Sequence, residues 1–163
     1  MIRLSNGEKF PNVEIPAVGG GQVSLPDALA GHFGVVLITR GSWCPYCNAQ
    51  LAAFQRASQT LDSLDIKVVS LSVDDEETSQ SVVDKHHLGF PVGHSADVDK
   101  IAATLGASVS DEPGPNGRRH FQSTGFVLAP DGSIITSVYS SGAIGRLVPE
   151  DVIGLVRYLR SQS

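Results

Sequence analysis

The sequence predicts an α/β domain in which a mixed central sheet is flanked by helices and preceded by an N-terminal hairpin. Three observations carry this. Gly34-Val35-Val36-Leu37-Ile38-Thr39 and Ile66-Lys67-Val68-Val69-Ser70-Leu71-Ser72-Val73 are apolar, β-branched runs of strand length, the composition of strands buried on both faces. Each is followed by a segment at helical spacing, so strand and helix alternate. Near the C-terminus, Thr124-Gly125-Phe126-Val127-Leu128 and Ser133-Ile134-Ile135-Thr136-Ser137-Val138-Tyr139 flank the turn signal Ala129-Pro130-Asp131-Gly132, which makes an antiparallel hairpin.

In chain order, Gly19-Gly20-Gly21 between Val18 and Val23 predicts the first hairpin turn. The strand at 34–39 hands over to a helix at Pro45, whose missing N–H suits a first helical turn. The strand at 66–73 precedes a helix over 76–87. Asp74, Asp75, Glu76 and Glu77 complement the positive start of that helix, and His86-His87 its negative end. Residues 88–92 read as extended and 98–105 as a short helix, followed by a loop containing Pro113-Gly114-Pro115-Asn116-Gly117. The segment 140–146 is a loop that lacks the lysine of a phosphate loop and most glycines of a dinucleotide fingerprint. Residues 149–159 form a closing amphipathic helix, with Val152, Val156 and Leu159 at core spacing.

With 163 residues, 41% hydrophobic and 18% charged, the chain has the make-up of one domain spanning 1–163. A net charge of -5 disfavours nucleic acid or an anionic membrane as an obligatory partner. No apolar run approaches the roughly 20 residues of a membrane span. The opening Met1-Ile2-Arg3-Leu4-Ser5-Asn6-Gly7 has no apolar signal core, so a cytoplasmic protein is expected.

The only two cysteines stand three residues apart in Trp43-Cys44-Pro45-Tyr46-Cys47, where the first long strand meets its helix. Pro45 at the first helical position puts Cys44 at or beside the N-cap, facing unpaired N–H groups and the positive end of the helix dipole. That environment favours thiolate over thiol and marks Cys44 as the nucleophile. Cys47, one turn on along the same face, is within disulfide reach and reads as the resolving thiol. A structural disulfide, a zinc site and coincidental free thiols are the competing readings. One short-range bridge would constrain little of the chain, and no second C-x-x-C or H-x-x-x-H supplies further zinc ligands. Thiol redox chemistry without a metal or cofactor is therefore the expectation.

The order of elements, the redox pair, and the phrases Leu71-Ser72-Val73-Asp74, His87-Leu88-Gly89-Phe90-Pro91-Val92 and Phe126-Val127-Leu128-Ala129-Pro130-Asp131-Gly132 resemble the thioredoxin-like fold. More narrowly they resemble peroxiredoxin-like proteins of the alkyl hydroperoxide reductase and thiol-specific antioxidant superfamily. Arg40-Gly41-Ser42-Trp43-Cys44-Pro45-Tyr46-Cys47 is similar to the R-G-x-W-C-P-x-C form of an atypical branch. The pattern P-x-x-x-T-x-x-C of typical members meets Leu37 and Gly41 when counted back from Cys44, and Arg40 and Cys44 when counted back from Cys47. The position before the third sheet segment, where relatives keep a distant arginine, is Ser123.

The resemblance implies a thiol-dependent antioxidant enzyme that reduces hydroperoxides. Cys44 would become a sulfenic acid and condense with Cys47, to be restored by a thioredoxin-type or small-thiol reductant. Arg40 would stabilise the departing oxygen. Trp43, Pro45, Thr124 and Arg119 are the expected substrate-side residues, with Thr124 at the place of the thioredoxin cis-proline and Arg119 on a loop able to fold over the site. A homodimer is compatible with the resemblance. A thioredoxin-like protein disulfide reductase is the alternative, and a noncatalytic binding domain that keeps the fold is a third reading.

Overall fold

The computed structural model describes residues 3–162, so Met1 and Ile2 of the opening segment lie outside the described residues. The hairpin is β1 (Val13–Pro16) paired antiparallel with β2 (Gln22–Leu25), and the Gly19-Gly20-Gly21 turn joins them. The main sheet contains β3 (Phe33–Ile38), β4 (Ile66–Leu71), β5 (Val92–Gly93), β6 (Thr124–Leu128) and β7 (Ile134–Tyr139) in the order β5-β4-β3-β6-β7. β3, β4 and β5 run parallel, while β6 and β7 are antiparallel, which makes the sheet mixed. The helices are α1 (Pro45–Arg56), α2 (Ser58–Ser63), α3 (Glu76–His86), α4 (Val98–Leu105) and α5 (Pro149–Ser161).

Side-chain alternation along β3 divides the interior in two. Val36 and Ile38 enter a cluster with the hairpin residues Ile15, Val23 and Leu25, with Ile101 and Leu105 of α4, and with Phe121 and Phe126. Val35 and Leu37 enter a second cluster with Leu51 and Phe54 of α1, Val82 of α3, and Val152 and Val156 of α5. The helix α1 buries Cys47, Gln50, Leu51 and Phe54, the i, i+3, i+4, i+7 stripe that seats a helix on a sheet. β3 is thus central to both layers, and its C-terminal end delivers the chain to the cysteines.

Two expectations shrink. The second long strand ends at Leu71 rather than Val73, and of the extended 88–92 segment only Val92 pairs, with the strand continuing to Gly93. The acidic run also divides. Asp75 caps α3 by accepting from Thr78 N at 2.8 Å, whereas Asp74 turns inward and is buried.

Candidate active site

Cys44 is the N-cap of α1, with extended backbone, and its Sγ accepts the Cys47 N–H at 3.3 Å. Pro45 and Tyr46 face solvent beside it, while both sulfurs are shielded, at 0% and 1% exposure. The Cys47 Sγ lies 2.8 Å from Cys44 Sγ, and both thiols are free. Arg40, leaving the end of β3, points Nη1 at Cys44 Sγ from 3.9 Å, and its backbone N–H reaches Cys47 Sγ at 3.4 Å. The Arg40 guanidinium also lies over the Trp43 ring, 4.9 Å from its centroid.

The Cys47 sulfur has a second partner from the far end of the chain. Arg146 donates Nη1 to it at 3.2 Å and Nη2 to the Ala143 carbonyl. Its neighbour Leu147 packs onto Gly125 of β6, where a Cβ would meet Leu147 Cδ1 at 2.8 Å. Gln50 of α1 donates to the Leu147 carbonyl at 2.9 Å. The loop before α5 is tied to strand and helix on either side of the sulfurs. Arg146 is not among the residues expected from sequence, since it lies 99 residues from Cys47 in a segment that reads only as a loop. The one available signal was its place just ahead of an amphipathic helix in a chain whose expected arginine position holds Ser123, which is buried before β6.

These contacts split the two thiols. Burial pushes the Cys44 thiol up, but hydrogen bonds from the Cys47 thiol and N–H, with Arg40 and the charge of Arg146, outweigh it and hold Cys44 below the ordinary cysteine value. Burial pushes Cys47 up as well, and donating its S–H to Cys44 adds to this. Arg146 and the Arg40 N–H oppose it, and the net shift is upward. Cys44 is therefore the thiol that loses its proton more readily, and Cys47 the one that holds it more tightly.

The turn before Cys44 is held from both sides. Ser42 N–H donates to the buried Asp74 carboxylate at 2.8 Å, and Asn48 donates to the Ser42 carbonyl at 2.8 Å while its Oδ1 accepts from His86 Nε2 at 3.1 Å. Burial raises the Asp74 pKa above the ordinary carboxylate value, against the pull of the Ser42 N–H and the Arg118 charge. Gly41, at φ +153, sits where any side chain would run into the Trp43 indole. His120 packs edge-on against Trp43, with ring centroids 4.8 Å apart.

The remaining expected residues, Thr124 and Arg119, make contacts of their own. Thr124 is buried at the start of β6, beside Ile38, and its hydroxyl donates to the Gln122 carbonyl at 3.2 Å. Arg119 is exposed and paired with Asp99 at 3.0 Å, so its charge is directed to α4 and away from the sulfurs. Its neighbour Arg118 bridges the Val73 carbonyl and Asp75. Among the described residues no three His, Cys, Asp or Glu side chains are gathered as a metal site would need, and no helix is long and apolar enough to cross a membrane.

Comparison with known proteins bears on this geometry. Residues 6–137 match the model of the AhpC/TSA family. The chain is 29% identical over 160 residues to a peroxiredoxin of Methanothermobacter thermautotrophicus, covering 94% of this chain and 72% of the relative. It is 30% identical over 163 residues to a peroxiredoxin of Methanococcus maripaludis, covering 95% and 71%. Among solved structures, it superposes on peroxidoxin BcpB of Mycobacterium tuberculosis with a TM-score of 0.80 at 16% identity, covering 96% of this chain and 99% of that one. AhpC of the same organism gives 0.76 at 18% identity, covering 99% and 96%.

Proposed function

The chain belongs to the AhpC/TSA family and is a thiol peroxidase, and from that premise we propose that Cys44 attacks the peroxide and Cys47 resolves the product. The observation that carries the assignment is the shell of Cys44 Sγ: one backbone N–H at 3.3 Å, one thiol at 2.8 Å and one guanidinium at 3.9 Å, all able to donate to a sulfur anion. An oxygen placed about 3 Å from both Cys44 Sγ and Arg40 Nη1 closes a triangle on their 3.9 Å separation.

In the first step the Cys44 thiolate bonds to one peroxide oxygen and the O–O bond breaks. The departing hydroxide or alkoxide, stabilised by Arg40, takes a proton and leaves as water or alcohol. Cys44 is then a sulfenic acid. Cys47 next gives up its proton, eased by Arg146, and attacks Cys44 Sγ. The S–S bond forms, the S–O bond breaks and water departs. A thioredoxin-type or small-thiol reductant returns both sulfurs to thiols. Trp43 and Pro45 line the approach, and the working unit is the single domain, cytoplasmic and free to pair as a homodimer.

The test is peroxide consumption and insulin disulfide reduction measured side by side on purified protein. Hydroperoxides are expected to oxidise it much faster than protein disulfides do, and the oxidised monomer should be lighter by two hydrogens. Ready insulin reduction with no peroxide reaction replaces this reading by a thioredoxin-like reductase. A predominantly intermolecular disulfide removes Cys47 as the resolving thiol.

A further inference from the structure

Four arginines lie around this end of the sheet, and their partners differ in charge. Arg118 and Arg119 are held by the carboxylates of Asp75 and Asp99. Arg40 and Arg146, the two that reach the sulfurs, are held by neutral carbonyls: Gln122 Oε1 accepts from Arg40 Nε at 3.0 Å, and the Ala143 backbone oxygen accepts from Arg146. A carboxylate would grip Arg40 harder but cancel its field at Cys44, whereas an amide oxygen fixes direction and leaves the full positive charge for the thiolate.

Gln122 is itself fixed. Its N–H donates to the Ser108 carbonyl at 2.8 Å, and its carbonyl accepts the Thr124 hydroxyl at 3.2 Å. Its side chain therefore starts from a pinned backbone. Arg40 needs such a partner because a long arginine stem loses much rotamer freedom when held in one place, and the Trp43 face alone fixes its height but not its rotation.

We propose that Gln122 is a positioning residue for peroxide reduction: by accepting from Arg40 Nε it turns the guanidinium toward Cys44 Sγ without neutralising it. This rests on Cys44 being the attacking thiol. The charged and titratable groups acting on Cys44 are Arg40, Cys47 and Arg146.

The test follows alkylation of Cys44 against pH, read by peptide mass spectrometry, together with the rate of peroxide oxidation. Gln122→Leu should raise the alkylation midpoint by about half a unit to one unit and slow oxidation at pH about 6 by about three- to tenfold. In the Arg40→Ala background the same substitution should have no further effect. Gln122→Glu keeps an acceptor at the same reach and should also raise the midpoint, an outcome that loss of packing does not produce. Gln122→Asn, which withdraws the amide by one methylene, gives a smaller shift and serves if the leucine variant does not fold. An unchanged midpoint in the Leu and Glu variants, or a Gln122→Leu shift of equal size with and without Arg40, overturns the positioning role. If Cys44 in the unaltered protein is the slower thiol, the nucleophile assignment itself fails, and that result is visible before any Gln122 variant is made.

Discussion

The two sides of the sulfur pair each supply one arginine, but they are built differently. On the Cys44 side, Arg40 leaves the end of β3, lies over Trp43, and is held by Gln122, while His120 backs the indole. On the Cys47 side, Arg146 stands in a loop outside regular structure and holds a carbonyl of that same loop, with exposed Ile144 and Val148 nearby. Leu147 ties that loop to the frame through Gly125 and Gln50, and the Ser140 N–H ties its start to the Ser123 carbonyl at 3.0 Å. The strand-anchored side suits a group that must be ready before substrate arrives. The loop-borne side suits one that acts after a bond has already formed.

The largest expected effect comes from exchanging the sulfurs. Cys44→Ser should lower peroxide turnover by about a thousandfold or more, as loss of a covalent nucleophile does. Cys47→Ser should keep the fast first oxidation and stop at a sulfenic acid that a dimedone-type trap labels. If the labelled residue in unsubstituted protein is Cys47, the comparison is inverted.

Next in size is the exchange of arginines. Arg40→Ala should slow the first oxidation by about tenfold or more, the loss of a charge-assisted hydrogen bond worth about 1.5–3 kcal/mol. Arg40→Lys should recover part of it, since an ammonium lacks the planar fork. Arg146→Ala should slow disulfide closure more than the first step, because its guanidinium contacts Cys47 and reaches Cys44 only through its field. Stopped-flow fluorescence of Trp43, the only tryptophan, separates the two phases. Equal slowing of both phases by both substitutions erases the distinction between the sides.

The smallest effect probes the backing of the Cys44 side. Burial lowers the His120 pKa below its ordinary 6.5, with the Arg40 charge adding to it and the Arg118 carbonyl opposing. Below the ordinary value the unfolded chain binds more protons than the fold. The stability this group contributes is therefore complete above about pH 6.5 and is lost as pH falls through the folded pKa. Asp74, raised by burial, works in the opposite direction: its contribution improves as pH falls through its raised folded value. Urea unfolding should show a shallower acid loss in His120→Phe between about pH 7.5 and about pH 5.5, and a steeper one in Asp74→Asn when the series is carried down to about pH 4. An unchanged slope in His120→Phe would mean that the imidazole titrates as it does in the unfolded chain.

Much of the frame was legible because burial on both faces forces composition. Val35, Val36, Leu37 and Ile38 are all fully buried, and a run of that kind has few other uses. The helix 98–105 matched residue for residue, since its apolar stripe is compact and Gly106 stops it in the left-handed conformation. The helix α2 was not expected: Ser58-Gln59-Thr60-Leu61-Asp62-Ser63 holds one buried apolar residue and so no periodic stripe. At the site, Arg40 and the cysteines are near in sequence, and local spacing alone connects them. Arg146 and Gln122 reach them only because β6 pairs with β3 and the following loop returns over it. Asp74 and Asp75 were indistinguishable side by side, since nothing local says which carboxylate caps a helix and which is buried beneath the Ser42 turn.

The cap of α1 is made by the reacting sulfur itself. An anionic sulfur accepts the Cys47 N–H well, whereas a sulfur in a disulfide is a neutral, weak acceptor, so oxidation withdraws a helix cap worth about 1 kcal/mol. By linkage the same free energy appears in the electron balance: stabilising the dithiol form by about 1 kcal/mol makes the disulfide more oxidising by about 20 mV. The helix terminus thus acts on both halves of the cycle, priming the sulfur to give electrons to peroxide and then making the oxidised protein an easier target for whatever thiol returns them.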